Sequence, residues 1–400
     1  MISYAEAVSI LETASTLPVQ TTSLSNAIGQ IIAEDIVSPM SVPSFANSAM
    51  DGFAVRASDC GSLPAILSVV GETAAGDIPA SGSGQAWAIM TGAAVPDGYD
   101  TVIPIEKVVL SEDEKSIRIE QAVKQGANIR LAGEDFQRGN KIVPAGDRLS
   151  SFHQMALSAL GIGKVSVRNK PRVRVISTGK EIIDDLSQPL GPGQIFNSNA
   201  PYLMTALTEL GTQSTYAGLI KDEPEKFEAL VKAQMASSDL IVSTGAVSAG
   251  KYDFIPSSLE NLGGKILFHK VAIRPGKPVL YARLPDGTHY LGLPGNPVSA
   301  AVGLKFFGQP LLRRMTGQPV LKPVKASLYR PFQKSHNLRF FTKAKLSSDA
   351  AGGLRVEILP GQQSFKIHPL LKTNSWAVIP EATKDLLTGD IVDTYPIGSL

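Results

Sequence analysis

The sequence predicts a multidomain protein of mixed class. It combines a doubly wound α/β domain, a helical layer discontinuous along the chain, a β domain inserted into that layer, and a small C-terminal β domain. Three observations predict this. Strand and helix patterns alternate over residues 170–315, which favours a largely parallel sheet. Short strands broken by glycine and proline fill 45–136, and helical patterns flank them in 1–44 and 137–169. Residues 316–400 begin as a proline-containing linker and continue as short strands.

Composition limits the class of protein. Hydrophobic residues make up 43% of the 400 residues and charged residues 18%, as in globular proteins. The formal net charge of +2 gives no basic field for nucleic acid. A single cysteine, Cys60, excludes a disulfide framework within the chain and suits the cytoplasm. We expect no membrane span and no targeting segment, because no apolar run is long enough.

The elements follow in order. A capping box formed by Ser3 and Glu6 predicts a helix at the N-terminus. Asn199 is predicted to cap a helix over 201–210, and Pro224 to be the first residue of the next one. The last helix of the α/β domain, 298–307, is predicted to end at Gly308-Gln-Pro. The other predicted strands and helices cover 65–70, 86–90, 101–109, 116–122, part of 140–165, 173–177, 215–219, 240–243, 255–262, 265–271, 289–293, 354–358 and 376–379.

Residues 47–55 form the most informative stretch, Asn-Ser-Ala-Met-Asp-Gly-Phe-Ala-Val. The carboxylate of Asp51 stands in a turn with Gly52, and the small neighbours allow a ligand to approach the backbone. Taken alone, the stretch is more typical of an ordinary solvent-facing turn before a strand. Its functional interpretation depends on the rest of the chain.

Three glycine-containing turns come directly after strands of the α/β domain. The carboxyl ends of parallel strands line the ligand crevice of such sheets, and glycine, hydroxyl groups and helix starts there can bind phosphate. The alternative is that glycine serves only the strand-to-helix junction. The candidate substrate-binding residues of these turns are Thr178, Gly179, Thr244, Gly245, Ser248, Pro294, Gly295, Asn296 and Pro297.

Carboxylates and cations accompany the turns. Asp222 and Asp253 each precede a predicted helix, so helix capping and Mg²⁺ binding are about equally compatible with them. The cations Lys270, Arg274 and Lys277 surround a Pro-Gly break, which favours an anion clamp over a solvated strand edge.

Together these stretches resemble the MoeA-type molybdopterin molybdenumtransferases, a family that includes the C-terminal domain of gephyrin. The resemblance implies four domains: a helical dimerisation domain (1–44 and 137–169), an inserted β domain (45–136), a molybdopterin-binding α/β domain (170–315) and a C-terminal β barrel (316–400). The matching stretches occur in the family's order over most of the chain. They are Asn47-Ser-Ala-Met-Asp-Gly, Met90-Thr-Gly-Ala, Asn128-Ile-Arg, Gly133-Glu-Asp, Ser177-Thr-Gly, Ser243-Thr-Gly, Gly250-Lys-Tyr-Asp, Arg274-Pro-Gly-Lys-Pro and Leu293-Pro-Gly-Asn-Pro.

The resemblance also implies an activity: insertion of molybdenum from molybdate into adenylylated molybdopterin, with Mg²⁺ and with release of AMP. It implies a homodimer whose active site is shared between subunits, and a molybdopterin adenylyltransferase as a partner. For Asp51, a role as acid or base and a role in orienting ligand are both open. The residues carried over by position are catalytic Asp51, Glu181, Lys270 and Arg274, metal-binding Asp222 and Asp253, and substrate-binding Thr91, Arg130, Asp135, Lys277, Pro294, Pro297 and Ser364, besides the turns above.

The chain also departs from the family's pattern. Ala246 stands where a second glycine is common, and Arg274 where lysine is usual. Lys343, His368 and Pro369 depart from the pattern near the C-terminus. Two other functions remain open: a molybdopterin adenylyltransferase, suggested by the α/β domain, and a non-catalytic dimeric scaffold, against which the aspartates argue.

Overall fold

The computed structural model describes residues 1–78, 81, 84–247 and 254–398. Within these ranges the strands form three six-stranded sheets and five two-stranded ones. The three large sheets belong to the inserted β domain, the α/β domain and the C-terminal region. This confirms the predicted mixed fold class. In the described ranges, no helix is long and apolar enough to cross a membrane.

The layer around the insertion contains the helices Leu24–Ala27 and Ser151–Ala159. Strands that were not predicted join its two chain segments: Val19–Ser23 pairs with Lys164–Arg168, and Ile36–Val37 with Lys141–Val143, all antiparallel. Both segments contribute to one buried cluster of Leu24, Ala27, Ile32, Val143, Leu149, Leu157, Val165 and Val167. The discontinuous layer is therefore held together by pairing between residues more than 100 positions apart.

The first helix, Tyr4–Glu12, has the predicted capping box, in which Ser3 N–H donates to Glu6 at 2.7 Å and Glu6 N–H to Ser3 at 3.2 Å. Its packing differs from the prediction. The helical pattern predicted that it belongs to the helical layer, whereas Ala7 and Leu11 are buried in the core of the α/β domain. Helical periodicity shows which face is apolar but not which domain covers it.

The inserted β domain is built on one six-stranded sheet. The strand predicted over 101–109 is divided by a 3₁₀ turn, Ile105–Lys107, where Ile105 N–H donates to the Asp51 carbonyl at 3.0 Å. This contact ties the stretch that carries Asp51 to the neighbouring strand. The strands of the sheet are Gly52–Val55, Ala65–Thr73, Ala86–Ile89, Thr101–Pro104, Val108–Leu110 and Ser116–Ile119, and a short pair joins Asn47–Ser48 to Ile129–Arg130.

The α/β sheet has four neighbouring strands that are parallel, and two more strands extend it at one edge. The first of these two, Leu280–Arg283, runs antiparallel to both of its neighbours. The sequence did not predict this strand. Buried clusters lie on both faces, as a doubly wound sheet requires. In spatial order the strands are Gln213–Ile220, Arg172–Thr178, Leu240–Thr244, His289–Leu293, Leu280–Arg283 and Lys265–His269. The helices are Asn199–Glu209, Pro224–Met235, Ile255–Asn261, Pro297–Gly303 and Gln309–Met315, and Ile182–Ile183 pairs with Ile195–Phe196.

The predicted end of the last α/β helix at Gly308 is wrong. The helix Pro297–Gly303 continues through a π-helical turn, Leu304–Gly308, into Gln309–Met315. Pro310 lies in the first turn after this irregularity. Proline lacks an N–H and its ring clashes with the preceding turn of a regular helix, so the wider turn allows the chain to stay helical.

The C-terminal region forms a closed five-stranded barrel, which confirms the predicted barrel. It closes because Arg339–Ser348 pairs with both Leu354–Ile358 and Ser375–Ile379. The sixth strand of its sheet, Ile273–Arg274, comes from the α/β domain and pairs in parallel with Arg339 and Phe340 at the barrel edge. Aromatic rings hold it against the α/β domain: the ring centroids of Phe306 and Phe341 are 4.1 Å apart. The other barrel strands are Val324–Leu328 and Ile391–Pro396, and Phe332–Gln333 pairs with Asp385–Leu386 beside it.

Candidate functional site

Asp51 is held by Thr91, which lies on a neighbouring strand connection of the inserted domain. The carboxylate Oδ1 accepts a hydrogen bond from Thr91 N–H at 2.6 Å and one from Thr91 Oγ1 at 2.8 Å. The backbone bond and then the hydroxyl bond lower the pKa of Asp51. Gly52 is required beside it, because a side chain there would collide with the Ile103 carbonyl. The turn therefore presents an exposed, ionised and oriented carboxylate.

Thr91→Val is expected to raise the pKa of Asp51, because valine removes one of the two donors. The folded-state pKa of this carboxylate is lowered, so its stabilising effect is present above the unfolded pKa and is lost as the pH falls through the folded pKa. The variant should lose that effect at a higher pH. Carbon-13 NMR titration of the aspartate carboxyls measures this directly. Asp113, whose pKa is lowered by Ser111, is an internal control; an unchanged Asp51 midpoint would contradict the prediction.

Arg130 and Asp135 line a second feature of the inserted domain, a cavity of about 370 Å³ that also includes Val42, Pro43 and Glu134. Both side chains are exposed. Among the described residues no ion pair joins Arg130 to Glu134 or Asp135, so the two ends of this stretch are not tied to each other by a surface ion pair. The two residues are available to a ligand at this rim.

The structure brings the three α/β turns together at the carboxyl edge of the sheet. Thr178 Oγ1 donates to the Thr244 carbonyl at 3.2 Å, and Gly245 N–H donates to the Leu293 carbonyl at 3.0 Å. Thr244 Oγ1 in turn donates to the Pro294 carbonyl at 3.4 Å. The strand ends thus form one continuous rim of backbone and hydroxyl groups.

Asn199 connects two of these turns, a role that sequence reasoning missed. It was predicted to cap a helix, but it is the first residue of the helix, and no side-chain cap is formed by the preceding Ser198. Its amide nitrogen Nδ2 donates to Thr244 Oγ1 at 2.8 Å and to the Gly295 carbonyl at 2.7 Å. Only the folded arrangement reveals the contact, because its partners are 45 and 96 positions away.

Ala246 adopts a backbone conformation that favours glycine, with φ at 49°. The family that this chain resembles commonly has glycine at this position. The Ala246→Gly variant is expected to be more stable by up to about 1 kcal/mol, because it relieves a left-handed alanine. Urea unfolding of the two proteins measures the difference. A loss of stability on substitution would show that the alanine is not strained.

Two predicted carboxylates lie near the first turn. A side chain on Gly179 would come within 2.9 Å of a Glu181 carboxylate oxygen, which places Glu181 directly over the turn. Asp222 is half-buried and accepts a hydrogen bond from Lys180 N–H at 3.2 Å. It does not cap the next helix, whose N-cap is Glu223, so the capping interpretation of Asp222 is wrong.

Two predicted residues, Ser248 and Asp253, lie outside the described residues. Among those that are described, no group of three or more histidine, cysteine or acidic side chains could hold a metal ion. A Mg²⁺ ion needs only one or two carboxylates when phosphates complete its coordination, so Asp222 fits such a site as one ligand.

Arg274, Lys277 and Ser364 line one cavity of about 550 Å³ between the α/β domain and the barrel. Ser299, on the helix that follows the third turn, lines it too. The Ser364 carbonyl accepts a hydrogen bond from Val298 N–H at 3.1 Å, which fixes the barrel loop to the start of that helix. The cavity and the rim of turns are therefore joined through this helix.

Lys270 is not brought into this cavity. It is half-buried with φ at 68°, and its backbone bonds to Ile2 and Val279. Of the residues that depart from the family's pattern, His368 is exposed on a 3₁₀ turn, Pro369 lies beside Gly361, and Lys343 is fully buried.

Comparison with known families accounts for most of the chain. Residues 2–161 match the MoeA N-terminal region (domain I and II), 174–314 a probable molybdopterin binding domain, and 325–397 the MoeA C-terminal region (domain IV). The chain belongs to the MoeA family. These matches confirm the resemblance inferred from the motifs.

MoeA relatives agree in length as well as in sequence. The chain is 36% identical to a molybdopterin molybdenumtransferase of Synechococcus elongatus, with 91% of each chain covered, and 35% identical to that of Haemophilus influenzae, with 94% and 93% covered. A crystal structure of a molybdopterin biosynthesis MoeA protein from Pyrococcus horikoshii has 31% identity and a TM-score of 0.82, with 98% of each chain covered.

Proposed function

We propose that this chain is a molybdopterin molybdenumtransferase, which transfers molybdenum from molybdate to adenylylated molybdopterin and releases AMP. The observation that carries the proposal is the junction of two sites suited to anions. The rim of turns ends at Pro297, and the helix that starts there contributes Ser299 to the cavity of Arg274 and Lys277, while its Val298 N–H bonds the Ser364 carbonyl of the barrel loop. Relatives of nearly equal length with this name support it.

The proposal gives each group of residues a role. Backbone N–H and hydroxyl groups of the rim would bind the phosphates of the adenylylated pterin. Arg274 and Lys277 would balance the charge of molybdate, and Ser364 would donate to its oxygens. Glu181, above the first turn, would orient the reacting groups. Lys270 would act through its charge, from beside the cavity and not within it.

Asp222 and Asp253 would hold Mg²⁺. The position of Asp222 supports this role, because its half-buried carboxylate lies at the first turn and caps no helix. When bound, Mg²⁺ supplies charge neutralisation for phosphate oxygens. Lys180 N–H keeps the Asp222 carboxylate turned toward the turn.

A homodimer with a shared active site is part of the proposal. Among the described residues, no hydrogen bond or ion pair joins Asp51 or Thr91 to the rim of turns or to Arg274 within one chain. A second subunit would bring the two groups together, because Asp51, Thr91, Arg130 and Asp135 of one subunit would face the rim of turns of the other. A molybdopterin adenylyltransferase would deliver the substrate. The single cysteine supports a cytoplasmic location.

The test is molybdate-dependent AMP release from adenylylated molybdopterin by the purified protein with Mg²⁺, followed by chromatography. We expect AMP to appear with molybdate and only slowly without it. Formation of the adenylate from ATP and bare molybdopterin would instead favour the adenylyltransferase. Binding without turnover of either kind would favour the scaffold.

A further inference from the structure

Lys343 is a fully buried lysine on the outer face of the C-terminal barrel, the face that packs against the α/β domain through Phe341 and Trp376. Its ammonium Nζ donates to three backbone carbonyls of one loop, those of Gly361 at 2.6 Å, Lys366 at 3.0 Å and Gln363 at 3.2 Å. Three donors are what a protonated lysine has, so every N–H of the ammonium is used. The group is too well matched to its surroundings to be an incidental buried charge.

The backbone of Lys343 holds the same loop a second time. Its N–H donates to Gln362 Oε1 at 2.9 Å, and its carbonyl accepts from Gln362 Nε2 at 2.9 Å. Residues 362–365 of this loop line the cavity that also contains Arg274 and Lys277. Lys343 does not line it, so any effect on a ligand in the cavity must pass through the loop.

Most of the loop's carbonyl groups bond to donors that do not line the cavity. Lys343 Nζ is the donor to three of the six carbonyls of residues 361–366, and Val298 N–H is the donor to that of Ser364. Neither residue lines the cavity, so four of the six carbonyls accept hydrogen bonds from outside it. A site for an oxyanion must present hydrogen-bond donors and keep carbonyl oxygens away, because lone pairs repel the anion. Without the Lys343 ammonium, the carbonyls of Gly361, Gln363 and Lys366 would lose this donor.

We propose that Lys343 is a positioning residue that makes the cavity selective for a tetrahedral oxyanion, by holding the carbonyl oxygens of Gly361, Gln363 and Lys366 away from it. The proposal rests on the proposed function, because it assigns molybdate to this cavity. It predicts that replacing Lys343 weakens the binding of molybdate and leaves the affinity for the nucleotide-bearing substrate almost unchanged.

The test is equilibrium binding of molybdate alone, and separately of AMP, to purified Lys343→Met protein by calorimetry. We expect the Kd for molybdate to rise about tenfold or more and that for AMP to change less than about twofold. Lys343→Arg, which keeps the charge and several donors, should recover part of the molybdate affinity. If Lys343→Met does not fold, Lys343→Gln replaces it, with the same expected direction.

Lys305→Met is the matched control. Lys305 is half-buried and donates to a barrel carbonyl, that of Pro396 at 2.8 Å, but it lies outside the cavity. Its loss should lower stability without changing molybdate affinity. Wild-type affinity in folded Lys343→Met, or equal losses of molybdate and AMP binding, would overturn the proposal. A wild type that binds molybdate without releasing AMP would refute only the proposed reaction.

Discussion

Asp51→Asn is expected to slow molybdate-dependent AMP release by about 10² to 10⁴ if Asp51 transfers a proton, the range that general acid–base catalysis contributes. Asparagine cannot exchange a proton, but its amide oxygen can still accept both hydrogen bonds from Thr91. If Asp51 only orients the ligand, the loss should therefore be about tenfold or less, the value of one hydrogen bond. The turnover rate at saturating substrate distinguishes the two roles.

Asp100→Asn is the control for this substitution. Asp100 belongs to the same β domain and accepts hydrogen bonds from Ala57 N–H at 2.8 Å and Gln125 Nε2 at 2.9 Å, but it is not a site residue. Its replacement should affect stability and leave turnover unchanged. Equal activity losses in both variants would show that the effect is structural.

Mixed dimers test whether Asp51 serves the partner's crevice. Asp51→Asn and Asp253→Asn proteins should each have reduced activity alone, whereas a mixture after subunit exchange should rise to roughly a quarter of wild-type activity. Half of the dimers would be mixed, and one of their two sites would be intact. A mixture that stays inactive despite proven exchange would assign both residues to the same subunit's site.

The sequence predicted those parts of the molecule that depend on local patterns. Strand and helix alternation identified the α/β domain. Because parallel strands end at one edge of a sheet, the sequence also predicted that the turns of Thr178, Thr244 and Pro294 lie close together. What it missed depends on distant partners. The helix through Pro310 relies on a π-helical turn packed in the core, and Asn199 acquires its role from residues far along the chain.

Lys343 shows the same limit, because its contacts also depend on residues distant in the sequence. The sequence showed only that Lys343 departs from the family's pattern near the C-terminus. The structure shows instead a lysine with three carbonyl partners that shapes the pocket loop. A residue's type and spacing cannot indicate whether its charge faces solvent or is buried between a barrel and the domain beside it.

Gly245→Ala is expected to have the largest effect on stability. Gly245 has φ at 100°, and a side chain there would collide with the backbone carbonyl and the hydroxyl of Thr178, which are buried. The backbone conformation costs about 1–3 kcal/mol for alanine and the forced shift of a packed neighbour about 1–3 kcal/mol more. The free energy of unfolding should fall by about 2–6 kcal/mol, and the rim should lose phosphate binding because Thr178 must move.

Gly218→Ala separates the two contributions. Gly218 lies in the same sheet with φ at 121°, but a side chain there would meet no atom within 4 Å. It should therefore show the backbone cost alone, about 1–3 kcal/mol, and leave AMP affinity unchanged. Urea unfolding and AMP binding of both variants give the comparison. Similar losses for the two would mean that the turn yields easily, and that the close approach of Gly245 to Thr178 is not what holds the rim in shape.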